Sequence, residues 1–101
     1  MRFRKLDTSN VTTMIYMFNN MSSLTSINVS NFNTSRVRGM SSMFQGTTNL
    51  QSLDVSSFDT SNVTQMLSMF QGMSSVKSLD LSNFQTNRVR FFQRMFQGRL
   101  H

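Results

Sequence analysis

The sequence predicts an α/β repeat, a right-handed leucine-rich-repeat-like solenoid of four 26-residue strand–helix units, with a short parallel sheet on one face and short helices on the other. Three observations predict it. Val11, Val37, Val63 and Val89 stand 26 residues apart, and so do Phe18, Phe44, Phe70 and Phe96. Leu53, Val55 and Phe58 alternate with polar residues, as one face of a half-buried strand does. Val63, Met66, Leu67 and Phe70 then fall at i, i+3, i+4 and i+7, the spacing of one helix face. Residues 1–101 are read as one domain of units 1–31, 32–57, 58–83 and 84–101.

Within a unit each element has its reason. Asp59, Thr60, Ser61 and Asn62 bond readily to their own backbone and suit a turn or a helix N-cap after the strand. The helix opens at Val63 and ends at Gly72, where a left-handed residue closes a helix without steric cost; Gly46, Gly98 and Asn20 share that column. Such a helix is about ten residues long and would not persist alone in water, so neighbouring units must hold it. Met73 and Val76 turn inward again and Leu79 opens the next strand. A strand, crossover and parallel strand connect right-handedly. Leu50, Leu53, Val55 and Phe58 match the opening of a leucine-rich repeat in part, with Phe58 at the position usual for Asn or Cys.

At this point the residues resemble a known family, the BspA-like bacterial surface proteins, whose units of about 26 residues read close to FDTSNVTNMSYMFSGCSSLTSLDLSN. Residues 58–83, FDTSNVTQMLSMFQGMSSVKSLDLSN, follow that pattern at most positions, and 32–57 nearly as well. Met21, Thr47, Met73 and Arg99 stand where the family usually has Cys. The resemblance implies a leucine-rich-like solenoid at the cell surface or outside the cell, in proteins of adhesion and host or matrix binding. The chain itself shows no signal peptide, lipid-anchor Cys or wall-sorting tail.

Composition narrows the chemistry. The net charge is +6, from eight Arg and two Lys against four Asp and no Glu, which favours anionic partners. There is no Cys, hence no disulfide, and no apolar run near the roughly 18 residues of a membrane span. The only His is the terminal His101, and the many Ser have no base to activate them, so the chain reads as non-enzymatic and no cofactor is expected. Asp54 with Asp80, and Asp7 with Asp59, share columns, but a calcium site needs more converging oxygens, so no metal is expected and these read as solvated positions. The Thr8, Thr34, Thr60, Thr86 column reads as capping of strand ends and helix starts rather than a hydroxyl array for sugars or ice. The ten Met and nine of the ten Phe fall in interior or edge columns; Phe91 is the exception.

The candidate ligand edge is Arg36, Arg38, Arg88 and Arg90, which flank the inward Val of units two and four, extended by Arg94. The expected function is adhesion or protein and glycan interaction, with a host or matrix protein or an anionic glycan as partner. Nucleic acid is set lower, since the aromatic platforms of such binders are missing apart from Phe91. The alternatives are end-to-end self-association or a piece of a longer array, because both terminal units keep apolar columns, with Phe3 and Phe91 as candidate end contacts. Non-specific polyanion binding stands third.

Overall fold

The computed structural model describes residues 6–98; Phe3, like Met1, Arg99 and His101, lies outside the described residues. Among them there is no helix, and strand is reduced to isolated parallel bridges joining Thr13 to Gly39, Gly39 to Gln65 and Gln65 to Phe91. The expected solenoid of sheet and helices is thereby corrected. The bridged residues stand 26 apart, so the chain runs in four passes, 6–31, 32–57, 58–83 and 84–98, each beside the next. Four passes at roughly 4.8 Å each fit the shortest molecular extent of 22 Å.

The expected helix is a run of turns instead. Tyr16, Ser42, Ser68 and Arg94 hold positive φ of 63°, 57°, 56° and 58° in the middle of each expected helix, a left-handed conformation that an α-helix cannot contain. Backbone donors then alternate. The N–H groups of Met66, Ser68, Phe70 and Gly72 reach across to the carbonyls of Phe91, Gln93, Met95 and Gln97 at 2.6–3.0 Å, while those of Met69, Gln71 and Met73 turn back on the third residue before them. Passes one and two repeat the pattern, Met14 to Gly39 and Met40 to Gln65 among others. Half of the amides are thus spent on the next pass, and no i to i−4 ladder can form.

The expected strand fails for the complementary reason. Phe58 N–H turns back on Val55 C=O at 3.0 Å, and Asp54 Oδ1 takes the N–H of Ser56 at 2.9 Å, so the segment bends before a ladder can start. The parallel bridges lie instead at 13, 39, 65 and 91, where the helices were expected to begin.

The core fills the space between these two legs. Phe18, Phe44, Phe70 and Phe96 stack along one column with centroids 5.5, 5.9 and 5.8 Å apart. Met40, Met43, Met66, Met69 and Met73 pack around them, fully buried. Thr8, Thr34 and Thr60 are buried too, but they clamp neighbouring passes rather than cap helices: Thr34 Oγ1 donates to Asp59 C=O at 3.0 Å and accepts Asp59 N–H at 2.8 Å. Amide side chains form a second directional ladder, from Asn19 to Gln45, Gln71 and Gln97.

Candidate functional site

Bridge register builds the basic edge. Arg38 N–H donates to Thr12 C=O, Thr64 N–H to Arg38 C=O and Arg90 N–H to Thr64 C=O, each at 2.8 Å, so Thr12, Arg38, Thr64 and Arg90 form one rising column. Arg38 and Arg90 are two passes apart, roughly 10 Å. The neighbouring column reads Asn10, Arg36, Asn62, Arg88. Arg36 Nη1 donates to Asn10 Oδ1 at 3.1 Å and Arg88 Nη1 to Asn62 Oδ1 at 3.4 Å, both at the surface. The four guanidiniums are exposed, and among the described residues none is paired with a carboxylate. Neutral amides hold two of them in place without cancelling their charge. Arg38 also borders a shallow groove floored by Gly39 and edged by the hydroxyls of Thr12, Thr13 and Thr64.

The remaining candidates go elsewhere. Arg94 does not join these four in a groove; its left-handed backbone places it in a separate shallow groove with Tyr16, Phe91 and the hydroxyls of Ser41 and Ser42. Phe91, bridged to Gln65, is 45 % exposed. Its neighbours Phe92 and Phe96, assigned by period to buried columns, are 62 % and 43 % exposed, as are large parts of Leu6, Met17 and Leu67.

The acidic groups are turn residues. Asp59 Oδ1 accepts the N–H of Ser61 at 3.0 Å and its hydroxyl at 2.6 Å, and Asn33 does the same for Ser35 one pass earlier. Hydrogen bonds from Ser61, the side chain first and the backbone second, hold the Asp59 carboxyl below its ordinary range. Ser56 lowers Asp54 in the same order, while for Asp7 and Asp80 the backbone N–H of Ser9 and Ser82 leads and the side chain follows. Among the described residues no three His, Cys, Asp or Glu side chains gather as metal ligands, and no helix is long and apolar enough to cross a membrane.

Two features escaped the sequence reading. The left-handed column is filled by Tyr16, Ser42, Ser68 and Arg94, none of them Gly or Asn, so no residue type announces it. The amide ladder did carry a signal, Asn or Gln repeated at 19, 45, 71 and 97, which stands out once the chain is aligned on itself.

A family model described as "Mycoplasma protein of unknown function, DUF285" matches residues 2–100. Neither a curated protein nor a solved structure matches the chain.

Proposed function

We propose, from the premise that the chain belongs to the DUF285 family of Mycoplasma proteins, that it is a non-enzymatic binding module that engages anionic glycans or acidic protein surfaces through its basic edge. The observation that carries this reading is the set Arg36, Arg38, Arg88 and Arg90, exposed in two adjacent columns and, among the described residues, paired with no carboxylate. Guanidiniums held at fixed spacing offer forked donors to sulfate and carboxylate groups at matching intervals. The hydroxyl-edged groove beside Arg38 adds neutral donors and acceptors of the kind a sugar ring uses. The resemblance of residues 58–83 to BspA-like repeats supports a place at the cell surface and a role in adhesion.

Retention on immobilised heparin, measured against salt, tests this. Affinity is expected to fall linearly in log–log form with salt, and changing the four Arg to Gln is expected to flatten that slope. Retention unchanged by the four substitutions would assign the edge to solubility and remove the reading.

A further inference from the structure

Each pass is held to the next by a directional set of bonds, and the two ends of the stack carry the two unused halves of that set. In passes one to three, four backbone N–H groups donate to four carbonyls of the following pass. The same columns in pass four hold Phe92, Arg94, Phe96 and Gly98, whose N–H groups donate to nothing among the described residues. The matching carbonyls of pass one, on Thr13, Ile15, Met17 and Asn19, accept nothing there either.

Two sets of side chains repeat this polarity, although the amides of Arg38, Thr64 and Arg90 and the side chains of Asn49, Asn62 and Asn83 donate the other way, to the preceding pass. The amide ladder runs from Asn19 Nδ2 upward to Gln97; among the described residues Gln97 Nε2 has no acceptor and Asn19 Oδ1 no donor. Thr8, Thr34 and Thr60 each clamp the residue one column before Thr in the next pass; Thr86 is exposed and clamps nothing among the described residues, and its complement would be Asp7. Apolar surface is left at both ends as well, by Phe92 and Phe96 on the last pass and by Leu6 and Met17 on the first.

We propose that the face of the last pass docks the first pass of a second copy of this chain, head to tail, in the register the chain already uses between its own passes. The proposal is independent of the glycan reading and uses none of its residues as ligands. Continuity with the existing contact is one support, since every bond required has a worked precedent inside the chain. Charge is the other. The column Asn10, Arg36, Asn62, Arg88 alternates neutral and basic residues, and a head-to-tail copy sets Asn10 beside Arg88 and preserves that alternation. Two last passes meeting face to face would instead oppose donor to donor and bring Arg88, Arg90 and Arg94 against their own equivalents. The contact is heterologous and leaves one face open at each end, so growth is linear.

Sedimentation velocity on the full chain tests it with two single-face variants, Phe92→Asp on the donor face and Met17→Asp on the acceptor face. Both residues are exposed in the isolated chain, so circular dichroism should be unchanged. The unmodified chain is expected to grow in mass with concentration, and each variant alone to sediment as a monomer. An equimolar mixture of the two should form a dimer of twice the monomer mass and nothing larger, because only one good face of each kind remains. Backbone amides of Phe92, Arg94 and Phe96 should exchange more slowly in that mixture than in either variant alone. An unmodified chain that stays monomeric, a Met17→Asp chain that still associates, or a mixture that does not dimerise would each overturn the proposal.

Discussion

The third and fourth passes carry closely related residues in the same columns and end in opposite states. Met66 and Phe70 are 0 % exposed, whereas Phe92 and Phe96, one period later, are 62 % and 43 % exposed. Thr60 is buried and clamps Gln85 from both sides; Thr86 is exposed and clamps nothing. Backbone conformation does not share this difference: Ser68 and Arg94 have φ of 56° and 58°, Gly72 and Gly98 78° each. Local geometry is therefore written into each pass, while burial is conferred by the passes on either side: Met17, in the first pass, is 38 % exposed where Met43 and Met69 are buried. A repeat unit here is half a contact, and stability rises with the number of neighbours rather than with unit composition.

The largest effect that sharpens this contrast is in the phenyl column. Phe70→Ala should cost about 3 to 5 kcal/mol, because it opens a cavity between Phe44 and Phe96 in a fully buried site. Phe96→Ala, flanked on one side only, should cost less than half of that in urea unfolding of monomeric chain. Equal losses would mean that the last pass is as well packed as the third and would break the comparison.

A smaller effect should be the same in both passes. Glycine in place of Ser68 or Arg94 relieves a left-handed residue of its Cβ, and each change is expected to be stabilising by up to about 1 kcal/mol. In a helix interior the same substitution would cost roughly 0.5 to 1 kcal/mol, so the sign of the shift in thermal midpoint distinguishes the two backbones. Destabilisation at both positions would restore the helix.

The smallest effect belongs, of these two passes, to the third. Asp59 ties Ser61 in its turn, whereas Gln85 in the same column makes no such bond to Asn87. The folded-state pKa of Asp59 lies below the ordinary value of 3.8, so its contribution is complete above that value and is lost as pH falls through the lower, folded one. Asn33 makes the same two bonds to Ser35 without a charge. Asp59→Asn should therefore keep the stability seen at neutral pH and reduce the loss on acidification below pH 3.8, read as a shallower fall of the thermal midpoint. An acid profile identical to that of the unmodified chain would show that the turn does not depend on ionisation.

Much of the column structure is legible in the sequence. The inward places of Val37, Phe44, Phe58, Val63 and Phe70, the left-handed residues at Asn20, Gly46, Gly72 and Gly98, and the exposure of Phe91 are all present. The four Arg of units two and four lie in two neighbouring columns, a placement that follows from spacing alone. Arg94, which the sequence reading adds to that edge, lines a groove with Tyr16 and Phe91 and has a left-handed backbone. Phe92 and Phe96 were assigned to buried columns, though the uncovered ends had been expected to show such residues to water.

The sequence by itself determined which residues share a column and which side of the chain each column serves, because a recurring interval of 26 residues carries that information directly. Tertiary structure alone decided what backbone those columns adopt. Apolar residues at i, i+3, i+4 and i+7 satisfy a helix, but they also satisfy a run of turns in which alternate amides cross to a neighbour. An isolated unit has only its own carbonyls to bond. Once the next pass lies alongside, the amides of Met66, Ser68, Phe70 and Gly72 find acceptors at 2.6–3.0 Å, and the competition that a helix would have won is lost to the stack.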